Sequence, residues 1–274
     1  VAGSEQSRDD YDQLVNWTAR LEREAPLFRT LFKQADVRSV ADVGAGSGQH
    51  AIMFASWGMD VTAIDPDPWM LERARANVAE AHSSVVVAQG GFGQVAGILG
   101  TAVDAITCTG NALPHVGSRE QLEAALLDFA VALRPGGVLV LHYLNHYRVL
   151  EHGVRTIKPV VRETVDGDTF FLRVIDVAPD REFILFDFAT VVRDAAVREG
   201  LSTAAAWTAS LDDDPTGGWR VQTRRSAHLV IDYRAITTAL LDAGFGNVEL
   251  YGSHDRTPLD PDADESIIVV ARRL

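Results

Sequence analysis

Val40-Ala41-Asp42-Val43-Gly44-Ala45-Gly46-Ser47-Gly48-Gln49-His50 is the stretch that decides the fold. The apolar run Ser39–Val43 predicts a buried strand, and three glycines at alternate positions then predict a tight turn that opens into a helix near Gly48. Glycines let the chain bend sharply there and let a ligand approach main-chain N–H groups with no Cβ in the way. The next apolar run, Asp60–Ile64, ends in Asp65, twenty-one residues after Gly44. A carboxylate at that place can accept hydrogen bonds from both hydroxyls of a ribose, and it discourages a 2′-phosphate.

Working outward, apolar runs at Ser84–Ala88, Val103–Cys108 and Val138–Leu144 alternate with helical-period stretches, the pattern of a parallel sheet flanked by helices. The helix near Ser118–Leu133 carries its own signals. Ser118 can cap its start with Gln121 three residues on, and Arg134-Pro135-Gly136-Gly137 ends it. Upstream, Asp9–Lys33 reads as two short helices. After Leu144 the pattern changes to successive strands at Thr169–Val177, Glu182–Val192, Thr203–Ser210 and Trp219–Ile231. Turn signals stand at Ala178-Pro179-Asp180 and Asp212–Gly218. A helix near Tyr233–Ala243, ended by Gly244, and strands Asn247–Tyr251 and Ser266–Arg272 close the chain. The expected architecture is α/β: a Rossmann-like, seven-stranded, mostly parallel sheet of order 3-2-1-4-5-7-6 with an antiparallel β insertion acting as a lid. Residues 1–145 hold the N-terminal helices and first five strands, 146–231 the lid, and 232–274 the final helix and strands.

Composition narrows the partners. A net charge of −13 disfavours nucleic acid, whose nonspecific binding needs a cationic footprint, and no apolar run reaches membrane-spanning length. With no basic-then-apolar segment at the N-terminus, a cytoplasmic location follows by default. The single cysteine, Cys108, excludes an internal disulfide and a thiolate-rich zinc site, and it reads as core. No His-Glu-x-x-His spacing occurs, and Asp212-Asp213-Asp214 and Asp260-Pro261-Asp262-Ala263-Asp264 read as solvated turns, so no metal is expected. Oligomeric state is not legible.

A dinucleotide dehydrogenase would place its third glycine at Gln49, and here it falls one residue early, at Gly48. Gly-x-Gly-x-Gly followed by Asp65 resembles class I S-adenosylmethionine-dependent methyltransferases. The narrower likeness is to the glycine and sarcosine N-methyltransferase branch, and three segments carry it. Tyr11-Asp12-Gln13-Leu14, with Trp17 and Arg20, is similar to helices that close over the cofactor, the arginine holding its carboxylate. Cys108-Thr109-Gly110-Asn111-Ala112-Leu113-Pro114-His115 is similar to a Gly-Asn-Ser-Leu-x-His segment beside the methionine moiety. Asn145-His146-Tyr147 aligns with an Arg-Asn-Tyr motif after the fifth strand. The resemblance implies S-adenosyl-L-methionine as cofactor, held by Tyr11, Trp17, Arg20, Gly44, Ala45, Gly46, Asp65, Pro66, Met70, Gly91, Phe92, Thr109, Gly110, Asn111 and His115.

Two departures stand out. Gly91 occupies the place where relatives carry an acid for the adenine amino group, which leaves Phe92 or backbone groups for that task. Leu144 replaces the arginine that fixes the carboxylate of a glycine acceptor, so free glycine is not the expected substrate. Methyl transfer from a sulfonium chiefly needs donor and acceptor held in line and water excluded, with a base only for a protonated nucleophile. His115 and His146, with Tyr147, are the expected catalytic residues, and His142 is a further candidate, all near strand ends. The alternative is that they shape the pocket through backbone hydrogen bonds. Arg155, Arg162, Arg173, Arg193, Arg224 and Arg225 in the insertion could receive an anionic substrate, and Trp207, Trp219 and Tyr233 could serve core or pocket. The expected function is transfer of a methyl group to a nitrogen, or in second place an oxygen or sulfur, of a small-molecule acceptor. The alternatives are a cofactor-binding scaffold without turnover and a nicotinamide-dependent oxidoreductase.

Overall fold

The computed structural model describes residues 14–164, 167–194 and 219–274. They form two compact units: a larger one of Trp17–Gly153 with His228–Leu274, and a smaller one whose described residues are 14–16, 154–164, 167–194 and 219–227.

In the larger unit, seven strands alternate with helices. β1 (Ser39–Val43), β2 (Asp60–Asp65), β3 (Val86–Gln89), β4 (Val103–Cys108) and β5 (Leu133–Leu144) run parallel. β11 (Ser266–Arg273) pairs antiparallel with both β5 and β10 (Phe245–Tyr251). The sheet order β3-β2-β1-β4-β5-β11-β10 becomes 3-2-1-4-5-7-6 when the strands of this sheet alone are numbered, as expected. The helices are α1 (Trp17–Gln34), α2 (Gln49–Ala55), α3 (Pro68–Glu80), α4 (Val95–Leu99), α5 (Arg119–Ala132), α6 (His146–His152) and α7 (Tyr233–Asp242). Ser118 caps α5 by accepting the Gln121 N–H at 3.3 Å.

Within Asp9–Lys33 the described residues show Leu14 as helical, a break at Val15–Asn16, and then α1, in which Leu27, Phe28, Leu31 and Phe32 form a single buried stripe. That stripe meets α2 edge to face, Phe54 standing 5.0 Å from Phe28 and 5.2 Å from Phe32. One expectation needs correction. The break in the chain falls at Gly153 rather than after Asn145, because Asn145 starts a helix. Its side chain accepts the Arg148 N–H and donates to the carbonyls of Pro261 and Asp264, binding α6 to the larger unit.

The smaller unit is a four-stranded sheet of order β6-β7-β8-β9, built from β6 (Thr156–Thr164), β7 (Gly167–Val177), β8 (Phe183–Asp194) and β9 (Trp219–Leu229). β6 was not expected as a strand. Ala178-Pro179-Asp180-Arg181 makes the β7–β8 turn, Arg181 donating to the Ala178 carbonyl at 2.8 Å. Phe171, Ile175, Ile184 and Phe188 alternate onto one buried face. The arginines find partners inside this unit. Arg225 grips Asp187 with two bonds of 2.6 Å, Arg193 pairs with Asp168, and Arg155 pairs with Asp176. Arg162 and Arg173 donate to the carbonyls of Leu14 and Lys158, and Arg224 lies 4.4 Å over Phe188. Trp219 packs on Phe170, 5.5 Å between ring centres. Thr203–Ser210, with Trp207, and Asp212–Gly218 lie outside the described residues.

Candidate active site

The C-terminal edge of the parallel strands gathers the site. Gly44, Gly46 and Gly48 all have positive φ (69°, 54° and 80°), which a side chain would strain. A Cβ at Gly44 would also stand 2.5 Å from that of Ala112, whereas at Gly46 nothing lies within 4 Å, so the turn faces open space there. The N–H groups of this turn are not spread for a ligand. Gly44 and Ala45 donate to the Ile64 carbonyl (2.8 and 3.1 Å), and Gly46 donates to Asp65 Oδ2 (2.8 Å). The glycines thus wire β1 to the end of β2 and offer a ligand close approach, not donors.

Asp65 is held from both sides, Oδ1 accepting the Asp67 N–H at 2.9 Å. Burial pushes its carboxyl above the usual carboxylate range against these two donors, and the neighbouring Asp67 charge adds to the rise. A carboxylate has about four acceptor positions, and the two backbone bonds leave room for two hydroxyls. Pro66 is exposed and Met70 half-buried beside it. Gly91 donates its N–H to Gln94 Oε1 (2.8 Å), so a carboxamide stands where the sequence lacks the acid, and Phe92 packs edge-on to Phe129 at 6.2 Å.

Beyond β4, Asn111 is a fastener. Its backbone, at φ 69°, donates to the His142 carbonyl, Oδ1 accepts the Leu144 N–H (2.9 Å), and Nδ2 donates to His228 Nδ1 (3.2 Å). That bond puts the His228 proton on Nε2, and burial with the nearby His115 and His146 lowers its pKa to about 3. His115 lies exposed on a 3-10 turn (Leu113–His115), its ring 4.3 Å from that of His228. Gly110 is exposed and Thr109 buried, its hydroxyl 3.5 Å from His50 Nδ1.

His146 lies inside the fold. It is fully buried, its Nδ1 accepts the Ile231 N–H at 3.0 Å, and burial lowers its pKa to about 3. It fixes α6 to the chain entering α7. His142 is likewise kept neutral by burial, at about 3, with Nδ1 buried and unpartnered. Tyr147 is half-buried, edge-on to Tyr233 at 5.4 Å, and Arg234 lies over both rings.

The sequence reading missed a buried cluster built from α1, α2 and the loop after β10. Glu24 is fully buried, with His50 Nε2 at 2.7 Å, Arg20 Nε at 2.9 Å, Arg23 Nη2 at 3.6 Å and His254 Nε2 at 3.7 Å. Burial works to raise its pKa, but the His50 bond and the Arg20 charge hold it well below the usual range. Trp17 stacks edge-on to His50 (5.8 Å) and under Arg20 (5.1 Å). Ligand atoms of Glu24, His142 and His254 lie within 4.8 Å of one another, a grouping able to hold a metal ion, but Arg20 and His50 already take both Glu24 oxygens. Glu24, His50, His228 and His254 are scattered in the chain, and only the pairing of helices reveals them. Tyr11 lies outside the described residues.

Residues 40–137 match the family described as a methyltransferase domain. The glycine/sarcosine N-methyltransferase of Parasynechococcus marenigrum is 33% identical over 145 residues, 53% of this chain and 51% of that protein. The chain therefore spans about half the length of the curated relatives it matches. Among solved structures, an S-adenosylmethionine-dependent methyltransferase from Clostridium acetobutylicum superposes with a TM-score of 0.73 at 11% identity, over 98% of this chain and 96% of that one. An amino pentose methyltransferase from Micromonospora echinaspora, solved with S-adenosylmethionine bound, gives 0.71 at 18% identity, over 100% and 98%. Residues 40–137 are thus similar to a methyltransferase domain, and the larger unit has the Rossmann-like fold that the solved methyltransferases share.

Proposed function

We propose that this chain transfers the methyl group of S-adenosylmethionine to a nitrogen of a small-molecule acceptor by in-line displacement. The observation that carries the reading is Asp65: a buried carboxylate, pushed up in pKa, pinned by Gly46 beside a turn with open space. Such a group gains most from two hydroxyl donors on one small ring, which a ribose supplies. Bound S-adenosylmethionine supplies a methyl group already activated on a positive sulfur. The chain's own work is then placement and water exclusion.

In this reading Gly44, Ala45, Gly46, Asp65, Pro66 and Met70 hold the ribose side. Gly91 and Phe92 hold the adenine, and Trp17, Arg20, Thr109, Gly110 and Asn111 hold the methionine end. His115 takes the proton of the acceptor nitrogen at a ring nitrogen, being the exposed histidine of the strand edge, while Tyr147 lines the acceptor's side. His146 is withdrawn from catalysis by its bond to Ile231. Nitrogen is favoured because curated relatives are named glycine/sarcosine N-methyltransferases, and because one solved neighbour acts on an amino pentose. Leu144 offers no counter-charge to a free carboxylate, so an amine lacking one, such as an amino sugar, suits the site better than glycine. The acidic chain is read as working in the cytoplasm on a small acceptor rather than on nucleic acid.

Calorimetry with adenosylhomocysteine and NADH, followed by labelled methyl transfer to a panel of amines, tests this. Expected are binding of adenosylhomocysteine alone, turnover of an amine, and glycine turned over at less than about a tenth of the best rate. Preference for NADH would overturn the cofactor reading. Tight binding without turnover across the panel would overturn the enzymatic one, and efficient use of glycine would overturn the acceptor class.

A further inference from the structure

Glu24, His142 and His254 come from three separate elements of the larger unit: α1, the end of β5, and the loop between β10 and β11. A ligating atom of each lies within 4.8 Å of those of the other two. Neither Glu24 nor His254 has a part in the methyl-transfer reading. No motif spacing could have shown the group, because its members are far apart in the chain.

The donor set has the chemistry of a ligand shell. Burial lowers the pKa of both imidazoles, to about 3 for His142, so each ring is in the neutral form that ligates a metal. His142 Nδ1 is buried and has no hydrogen-bond partner among the described residues, although a buried ring nitrogen normally finds one. The His142 and His254 rings meet edge-on, 5.1 Å between centres. His254 Nε2 stands 3.7 Å from Glu24 Oε1, too far for a hydrogen bond. Two ligand atoms, each about 2.1 Å from one tetrahedral ion, are themselves about 3.4 Å apart, so the gap is close to the spacing an ion would set.

Glu24 is not exhausted by its pairs. Oε2 meets His50 Nε2 at 2.7 Å and Oε1 meets Arg20 Nε at 2.9 Å, but each carboxylate oxygen has about two acceptor positions. The Arg20 and Arg23 guanidinium groups beside Oε1 oppose a further cation, which weakens the site without removing a ligand.

We propose that Glu24, His142 and His254 bind one divalent transition-metal ion of the zinc class. Two imidazoles and a carboxylate suit such an ion better than Mg2+ or Ca2+, which take oxygen ligands. Three protein ligands leave a fourth position to water. The ion ties α1 to β5 and to the loop before β11. The opposing guanidinium groups put its dissociation constant at about micromolar, weaker than that of closed structural zinc sites. The site does not depend on the identity of the methyl donor.

The test uses the untagged full chain, stripped with EDTA and dialysed, titrated with ZnCl2 by calorimetry and with CoCl2 by visible absorption. His254→Ala, His142→Ala and His152→Ala are titrated beside it, His152 being an exposed imidazole paired with Asp262 and outside the group. Expected are one Zn2+ per wild-type chain, a Co2+ spectrum with nitrogen ligands, and a loss of about tenfold or more in Zn2+ affinity in His254→Ala and in His142→Ala, with none in His152→Ala. Zn2+ should also raise the thermal midpoint of the wild-type chain and not that of His254→Ala. The proposal is overturned by the absence of one-to-one binding, by the spectrum of aqueous Co2+, or by affinity kept in both His254→Ala and His142→Ala. Loss in His152→Ala overturns it too, since that marks an adventitious surface ion. Should His142→Ala fail to fold, His254→Ala, on a loop, decides alone.

Discussion

Asp104 and Asp65 sit at opposite ends of the same sheet, and each accepts two backbone N–H bonds, yet their carboxyls move in opposite directions. Asp104, at the start of the parallel bundle, takes the N–H groups of Arg38 and Ser39 (2.9 and 2.8 Å), the Ser39 hydroxyl and the Arg134 guanidinium. Burial acts to raise it, but Arg134 and these donors bring it down to about 2. Asp65, at the C-terminal edge, has the N–H groups of Gly46 and Asp67 but the Asp67 carboxylate in place of a cation among the described residues, and burial prevails. The difference teaches where the molecule is finished and where it waits. A carboxylate with a cation in place is a clasp. One buried without a cation is ready for donors that arrive from outside.

The largest expected effect breaks this comparison at Asp65. Asp65→Ala should weaken adenosylhomocysteine binding by a few kcal/mol, because two charge-assisted bonds of roughly 1.5–3 kcal/mol each are lost. Calorimetry that found the affinity unchanged would remove the ribose role.

The second prediction is the mirror image. Asp104→Ala should cost about 2–4 kcal/mol of folding stability, leaving the Arg38 and Ser39 N–H groups and Arg134 without their shared acceptor, while ligand affinity stays as it was. Its pH signature has a definite sign. The folded pKa lies below the ordinary value of 3.8, so the contribution is complete above 3.8 and is lost as pH falls toward about 2. Urea unfolding should therefore weaken more steeply over that window in the wild-type chain than in the variant. Equal acid slopes would mean that Arg134 does not hold the charge.

How much of this was legible in the chain depends on whether the signal was local. The strands, the early third glycine and Asp65 were readable because period, turn chemistry and spacing all lie within one β-turn-α-β stretch. α6 was hidden because seven residues are too few for a helical period to stand out, and β6 because Pro159 interrupts the run that would mark a strand. Glu24 and His50 were illegible for a different reason. They are 26 positions apart on separate helices, and their bond exists only because Phe28 and Phe32 dock α1 against Phe54. The burial of His146 was not legible because strand-end position alone cannot tell an open ring from one that accepts the Ile231 N–H. The insertion's arginines read as anion receptors singly, and as sheet ion pairs only once register put Asp187 beside Arg225.

The smallest effect concerns a third carboxylate, Asp42, which sharpens the contrast between the two ends. It lies in β1 just before the glycine turn, buried to 2% exposure, with Oδ1 accepting the Thr107 hydroxyl at 2.7 Å and Oδ2 unpartnered. Burial raises its pKa against the pull of His50 and the Thr107 bond, and the Asp65 charge adds to the rise. A folded pKa above the unfolded one means that the native chain binds the proton more tightly, so this contribution is present at low pH and fades as pH rises through the folded value. Asp42→Asn keeps an acceptor for Thr107 and removes the charge. The variant should be at least as stable as wild type near neutrality, with the advantage shrinking as pH falls through the raised folded value and gone by 3.8. Denaturant unfolding from neutral pH down to 3.8 is the measurement. A variant clearly less stable at neutral pH would mean that the Asp42 charge is balanced by His50 and Arg20 after all, and that the C-terminal edge is compensated as fully as the clasp at Asp104.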